Sequence, residues 1–267
     1  MANLWVLDKY LKEGVLYQTP KRVTYVIKEL GTNSSDLGHL TIEETDMGDI
    51  DSDVAPLRMT SSNVLGPLYL EDYYYVVPPE TKFKWEGGSG SLCRIKGDIL
   101  LLGIGEGVPG ELLTRFKDQE RKKIKTYTGS LALGTDEAWK ADEEKEVFSI
   151  TPLTTEKILF DGFVGVKITG DTVSEGDFAL TFYMNNKPLE LDVASNLGYG
   201  VDVKNAPLPP NDTNGMIAFS LKNFPIEVPG DQTLSVRVKN ISGSDKAPAS
   251  GSAWSVTLKM IGKYERA

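Results

Sequence analysis

The first candidate for chemistry lies in residues 97–125, which read as an apolar strand, a glycine loop and a charged helix. Nucleotide-binding proteins use this order to present backbone N–H groups to a phosphate. A dinucleotide fingerprint is excluded because Val108 stands where its third glycine is required. A P-loop is excluded because Glu111 follows Gly110, so no lysine reaches the phosphate. The segment therefore predicts a strand-to-helix corner, with the helix at about 111–125.

A second candidate is the acidic segment that contains Asp49, Asp51 and Asp53. Carboxylates at alternate positions are typical of the start of a calcium loop, but an EF-hand also needs glycine at position 6 and glutamate at position 12. Those positions hold Val54 and Thr60, which excludes an EF-hand. A looser calcium site completed by other loops stays open beside the favoured interpretation, a solvated acidic segment. Calcium is the only cofactor that the sequence suggests.

A third candidate is the basic run formed by Arg121, Lys122, Lys123 and Lys125 in an otherwise acidic chain. Lysine and arginine are favoured at helix C-termini because the helix dipole leaves partial negative charge there. We therefore expect a structural role at the end of the predicted helix. Contact with nucleic acid or with an acidic neighbouring subunit is the alternative.

The neighbouring tyrosines Tyr73, Tyr74 and Tyr75 form a fourth candidate. Their rings could stack on a sugar or contact a partner protein. Three consecutive side chains of one strand cannot all face the same core, so at least one must meet another surface. Packing within the protein is the favoured interpretation, and an interaction surface is the alternative.

The residues available for nucleophilic catalysis are few. The sequence contains one histidine, His39, and one cysteine, Cys93. No nucleophile elbow is present, and one histidine cannot supply a histidine-rich metal site. Paired carboxylates for glycoside hydrolysis stay open only because acidic residues are abundant. We therefore predict that the protein is not an enzyme.

The amino-acid composition limits the kinds of partner that the protein can bind. The 267 residues include 29 basic and 38 acidic side chains, for a formal net charge of -9. Such a charge repels nucleic acid and anionic membranes, which makes both unlikely partners except through residues 121–125. The first residues lack the basic start of a signal peptide, and no apolar run is long enough to span a bilayer. We expect no secretion signal and no membrane contact.

The predicted fold is mainly β, with three regions. Residues 1–63 are predicted to form a helix at 3–13 followed by an extended arm at 31–63. Residues 64–135 are predicted to be β-rich and to contain the interior helix. The charged segment 135–146 is the predicted boundary. Seven strand-like runs separated by turn-forming clusters then predict an antiparallel β-sandwich or jelly roll at 146–267.

In general style these features resemble virion structural proteins of tailed phages and related viruses, meaning capsid, decoration or tail components. The resemblance covers architecture only and transfers no site residues. It implies a homo-oligomer that also contacts other virion proteins, is assembled in the host cytoplasm and is located in the virion. The expected contacts are the arm and the loops 204–215 and 241–253. The alternatives are a β-sandwich that binds carbohydrate or a cell surface through Tyr73–Tyr75, Trp85 or loop aromatics, and a glycan-active hydrolase.

Overall fold

The computed structural model describes residues 3–58, 66–189, 205–208, 217–222 and 224–267. These residues form twenty β-strands, one α-helix and one 3-10 helix. The elements of the first half are β1 (Asn3–Lys12), β2 (Tyr17–Gln18), β3 (Val23–Thr32), β4 (His39–Ile42), β5 (Thr45–Asp46), β6 (Leu68–Tyr69), the 3-10 helix (Glu71–Tyr73), β7 (Tyr75–Val77), β8 (Lys82–Glu86), β9 (Leu92–Leu101) and α1 (Gly110–Asp118). Within the described residues, no helix is long and apolar enough to cross a membrane.

The second half of the chain contributes strands alone among its described residues. They are β10 (Lys122–Ala132), β11 (Glu144–Ile150), β12 (Glu156–Phe160), β13 (Phe163–Thr169), β14 (Phe178–Met184), β15 (Lys187–Pro188), β16 (Asn205–Pro207), β17 (Ile217–Ser220), β18 (Ile226–Val228), β19 (Leu234–Asn240) and β20 (Ser255–Arg266). The predicted mainly β fold with one interior helix is confirmed for the described part of the chain.

The chain divides into two compact units, residues 1–126 with 263–267 and residues 127–262. The charged segment 135–146, predicted as the boundary, lies inside the second unit. Its Trp139 is fully buried, and the backbone of Trp139 exchanges hydrogen bonds with Lys246. A single large aromatic side chain thus anchors a segment whose other residues are mostly charged.

Unit 1 contains two antiparallel sheets. The larger has the order β1-β9-β3-β6, with β7 also paired to β3, and the smaller has the order β2-β8-β4-β5. Tyr25 on β3 meets Phe83 on β8 in an edge-to-face contact at 6.0 Å between ring centroids. Side chains of the two sheets therefore share one core. Because β1 lies at one end of the order β1-β9-β3-β6, it is an edge strand of the larger sheet.

The helix predicted at 3–13 is wrong, because these residues form β1. Leu4, Leu7 and Leu11 have helical spacing, yet Leu7 and Leu11 are buried on one face of a strand and Leu4 is exposed. β1 pairs with β9 along its whole length, from Asn3 opposite Leu101 to Lys12 opposite Leu92. The spacing of the leucines fits a helix as well as a strand, and the long-range pairing with β9 decides in favour of the strand.

The extended arm predicted at 31–63 is also wrong for residues 31–58, and residues 59–63 lie outside the described part of the chain. β4 and β5 lie in this segment. Six of its apolar side chains are buried in the core of unit 1, namely Leu40, Ile42, Met47, Ile50, Val54 and Ala55. Short strands joined by turns bury apolar residues at irregular intervals, so no period is visible in the sequence.

The interior helix is shorter than the predicted 111–125, since α1 ends at Asp118. Residues from Lys122 onward form β10, in which Ile124 and Thr126 are buried at alternate positions. This alternation is typical of a strand with one face against a core. The basic run therefore lies on a turn and a strand rather than at a helix end.

Unit 2 is an antiparallel β-sandwich, as predicted for this half of the chain. One sheet has the order β17-β13-β20-β12-β18 with β10 paired to β20, and the other has the order β11-β19-β14-β15 with β16 paired to β14. Phe148 on β11 and Phe160 on β12 meet edge to face at 6.4 Å between centroids. Phe178 on β14 meets Trp254, beside β20, in the same manner at 5.5 Å. Aromatic pairs thus join the two sheets.

Candidate interaction surface

Among the described strands, β1 carries the most exposed large apolar side chains. Leu4, Trp5, Val6 and Tyr10 keep 68%, 63%, 82% and 51% of their surface exposed. We call these four residues the β1 strip. Exposed apolar residues are common singly, whereas three in succession on an edge strand indicate an association surface.

Among the described strands, β1 has a partner on one side only. β1 pairs with β9 and with no other described strand, so most N–H and C=O groups of its opposite edge have no strand partner in the described part of the chain. Near the end of the strand, the backbone N–H of Lys12 donates to the hydroxyl of Tyr17 at 3.0 Å. The ammonium of Lys9 also lies 4.8 Å from the centroid of the Tyr17 ring. Tyr17 thus covers the end of the edge near Lys12, away from Trp5 and Val6.

The tyrosines 73–75 lie in three different environments. Tyr75 is fully buried, which raises its pKa to about 12, and its hydroxyl accepts a hydrogen bond from the N–H of Gly48. The proposed interaction role is therefore wrong for Tyr75, which packs in the core. Tyr73 donates to Glu265 at 2.6 Å, and Tyr74 lies 5.6 Å from the guanidinium carbon of Arg115. Both are half-buried, and an interaction role for them stays a prediction.

The basic run also divides. Arg121 and Lys122 are exposed, whereas Lys123 is half-buried and donates to the backbone carbonyl of Asp46 at 2.7 Å. Burial, together with the charge of Lys125, lowers the pKa of Lys123. The ammonium of Lys125 lies 4.6 Å from the ring centroid of Tyr264. Part of the run is therefore occupied by contacts within unit 1, and its role toward a partner stays a prediction.

The three aspartates proposed for calcium do not converge on one point. The Oδ1 atom of Asp51, which is buried, accepts hydrogen bonds from the backbone N–H groups of Asp53 and Val54. Asp53 itself is exposed. Asp49 lies 3.2 Å from Nδ1 of His39. Within the described residues, the side chains that bring possible ligand atoms together are instead His39, Asp46 and Glu86.

The glycine loop between β9 and α1 closes on itself. The backbone N–H of Gly103 donates to Oε2 of Glu106 at 2.7 Å, and the same contact lowers the pKa of Glu106. The carboxylate of Glu106 therefore accepts the hydrogen bond of a backbone N–H that a phosphate would need. Gly105 has a φ of 79°, a left-handed conformation that favours glycine at a turn. The loop is therefore a turn between a strand and a helix, as predicted.

Two further side chains from the sequence analysis are buried. Cys93 is fully buried on β9, and burial raises the pKa of its thiol far above the usual range. Trp85 is also fully buried, and its indole N–H donates to Ser91 at 2.9 Å. Neither side chain is accessible to a ligand. The stacking role proposed for Trp85 is therefore wrong.

Two loops were expected to make contacts. Residues 204 and 209–215 of the first lie outside the described part of the chain. The second, 241–253, exposes several residues at its tips and is tied to unit 2 by hydrogen bonds from Ala249 to Gly170 and from Asp136 to Ser252. Its contact role stays a prediction.

No family model and no curated protein matches the sequence. Solved structures of viral capsid proteins are similar to the chain at low sequence identity. The major capsid protein P2 of bacteriophage PM2 matches with a TM-score of 0.39 and 8% identity over 96% of this chain and 98% of that protein. The STIV MCP matches with a TM-score of 0.41 and 9% identity over 98% and 96% of the two chains. The PBCV-1 capsid matches with a TM-score of 0.34 and 11% identity over 98% and 95%. At such low values, none of these similarities establishes a function for this chain.

Sequence reasoning missed both features that stand out in unit 1. The β1 strip lies in the segment predicted to be a helix. Leu4, Trp5 and Val6 are consecutive, and three consecutive apolar residues cannot all lie on the one apolar face of an amphipathic helix, so the sequence did contain a signal against that prediction. The cluster around His39 was missed because Asp46 and Glu86 come from other strands. Only the pairing of β4 with β5 and β8 brings them together.

Proposed function

We propose that the protein is a non-enzymatic structural subunit of a virus-like assembly, and that copies of the chain associate through the free edge of β1. The observation that carries this proposal is the ten-residue edge strand with its exposed apolar side chains. A long apolar edge in a protein that acts alone would be an aggregation hazard. In an assembly subunit, the same edge is a contact surface.

The chemistry of the edge favours a second copy of this chain as the occupant. An antiparallel strand added to β1 would pair its free N–H and C=O groups and cover Leu4, Trp5 and Val6. Removing each large apolar side chain from water stabilises the contact by about 1.5–3 kcal/mol. Two copies related by a twofold axis would use the same strip on both sides.

Charge supports the same location. The chain carries a net charge of -9, so most of its surface repels a second copy. On β1 the acidic Asp8 is neutralised by Arg94, and Lys9 and Lys12 add positive charge. β1 itself therefore adds no uncompensated negative charge to the repulsion between two copies.

The carbohydrate-binding alternative receives less support. Of the aromatic residues that it requires, Tyr75 and Trp85 are fully buried. Tyr73 and Tyr74 are half-buried and contact Glu265 and Arg115. No aromatic platform of the kind predicted for a sugar is present among the described residues at 73–85.

The test compares the purified protein with two variants by multi-angle light scattering over a wide concentration range, and by negative-stain electron microscopy. The double variant Trp5→Lys/Val6→Lys places charge in the strip. The matched control Leu153→Lys changes a side chain of unit 2 that is 67% exposed. We expect wild type and control to form regular oligomers and the double variant to remain a monomer.

Two outcomes would overturn the proposal. One is a wild-type protein that stays monomeric at every concentration. The other is a double variant that assembles as the wild type does while keeping the same circular dichroism spectrum. In the second case the subunit contact would lie elsewhere on the chain.

A further inference from the structure

We propose that His39, Asp46 and Glu86 form a site for a divalent transition-metal ion, with Asp49 as the residue that orients His39. The ligand residues come from three strands of the smaller sheet of unit 1. His39 on β4 lies directly opposite Glu86 on β8, and Thr41 of β4 lies opposite Asp46 on β5. Strand register alone therefore brings an imidazole and two carboxylates together.

Both nitrogens of the His39 ring face carboxylate oxygen atoms, which can only accept hydrogen bonds when the carboxyl group is ionised. Nδ1 lies 3.2 Å from Oδ1 of Asp49, and Nε2 lies 3.4 Å from Oδ1 of Asp46 and 3.4 Å from Oε2 of Glu86. A neutral imidazole has one N–H, so with its proton on Nδ1 a lone pair on Nε2 points at two carboxylates. A metal ion between these atoms would relieve the repulsion, as a second proton would.

The distances fit a metal ion. Ligand atoms that surround a tetrahedral zinc ion at about 2.1 Å lie about 3.4 Å from one another. Nε2 of His39 has this separation from each carboxylate oxygen. All three ligand atoms lie within 4.8 Å of one another. Small side-chain movements would complete three corners of the tetrahedron.

The surroundings resemble those of a metal-binding histidine. Such a histidine usually donates its other ring N–H to a carboxylate, which sets the tautomer and the ring orientation. Asp49 holds this position, with its Oδ1 atom 3.2 Å from Nδ1 of His39. Glu86 is held by Lys84, which donates to Oε1 at 2.6 Å and leaves Oε2 directed at His39. Thr41 donates to the same Oε2 atom at 2.7 Å.

The site is accessible. Asp46, Glu86 and Thr41 border an open cavity of about 870 Å³, so a fourth ligand such as water can approach from solvent. One imidazole with two carboxylates suits zinc or manganese, whereas calcium prefers six or more oxygen atoms. The expected ion is therefore a divalent transition metal such as zinc, and this ligand set differs from the three aspartates that the sequence suggested.

The test uses the full-length protein after dialysis against EDTA. Isothermal titration with zinc sulfate is expected to give one equivalent per chain, and cobalt(II) is expected to give the visible absorption of a tetrahedral site. Asp49→Asn should lower the zinc affinity about 10- to 100-fold. His39→Gln and Glu86→Gln should each lower it further. The matched control Glu80→Gln, which changes another carboxylate at the same cavity, should leave it unchanged.

The proposal is overturned if folded wild-type protein binds no stoichiometric zinc, if His39→Gln retains the affinity, or if Glu80→Gln loses as much as Glu86→Gln. It is also overturned if calcium binds more tightly than zinc. Circular dichroism identifies any variant that fails to fold. If His39→Gln is one of them, Glu86→Gln and the cobalt spectrum of the wild type decide the outcome.

Discussion

Arg94 donates two parallel hydrogen bonds to the carboxylate of Asp8, from Nε to Oδ1 at 2.8 Å and from Nη2 to Oδ2 at 2.7 Å. The guanidinium carbon also lies 5.5 Å from the ring centroid of Tyr10, which is directly opposite Arg94 in the strand register. One arginine of β9 thus holds two side chains of the edge strand. It orders β1 and leaves Leu4, Trp5 and Val6 available to a second copy.

This ion pair makes a prediction about acid stability. Arg94 holds the pKa of Asp8 below its ordinary value of 3.8. A carboxyl group with a lowered pKa stabilises the folded state above its ordinary value, and this contribution is lost as the pH falls through the lowered pKa. Because Asp8 is partly exposed, Asp8→Asn should reduce the free energy of unfolding by less than about 1 kcal/mol at neutral pH.

Urea denaturation of wild type and Asp8→Asn at neutral pH and in strong acid measures this effect, since the contribution of Asp8 is lost as its carboxylate becomes protonated. The difference between the two proteins should disappear in acid. Glu111→Gln, which removes a carboxylate from α1, is the control for net charge. A difference that stays the same at both pH values would show that Asp8 acts through packing instead.

A second prediction concerns Gly48, in the loop between Asp46 and Asp49. A Cβ atom on Gly48 would lie 1.4 Å from the carbonyl oxygen of Ile124, which is backbone and cannot move aside. The backbone N–H of Thr126 donates to the carbonyl of Asp49 at 3.0 Å, so the loop cannot simply shift away. We expect Gly48→Ala to lower the free energy of unfolding by about 3 kcal/mol or more.

Thermal and chemical denaturation test this prediction, with Gly107→Ala as the control. A Cβ atom on Gly107 would meet no other atom within 4 Å, so this substitution should change stability by less than about 0.5 kcal/mol. Equal stabilities of the two variants would mean that the loop at Gly48 is free to move.

A third prediction concerns Asn240 in unit 2, which is fully buried. Its Nδ2 lies 2.9, 3.1 and 2.8 Å from the carbonyl oxygens of Trp139, Lys140 and Ser244. Its Oδ1 accepts hydrogen bonds from the N–H and the hydroxyl of Ser242. Asn240→Ala removes all of these hydrogen bonds at a buried position and should cost on the order of 3 kcal/mol of stability.

Ser242→Ala is the matched comparison, because it removes the hydroxyl and leaves the amide of Asn240 in place. Its expected loss is about 1 kcal/mol, the usual net value of one hydrogen bond. Chemical denaturation measures both variants. A smaller loss for Asn240→Ala than for Ser242→Ala would contradict the central role of the amide.

Local patterns were reliable where one strand face meets a core and turns follow at short intervals. In the last strand and the residue before it, the alternate positions Trp254, Val256, Leu258 and Met260 are apolar in the sequence, and all four are buried. The corner at Gly103 to Gly110 could also be predicted, since glycine and proline restrict the backbone locally. These features depend on neighbours in sequence, which is why the sequence reveals them.

The edge strand and the cluster around His39 depend on distant partners. Leu4, Leu7 and Leu11 fit a helix as well as a strand until β9 supplies ten opposing residues. His39 becomes a candidate metal ligand only because the pairing of β4 with β8 places Glu86 opposite it. The sequence by itself determined a mainly β chain with a sandwich in its second half, because side-chain alternation and turn chemistry are local. The exposed strip and the convergence of three carboxylates on one imidazole were decided by tertiary structure alone, because strand order and register are set by the burial of the whole core.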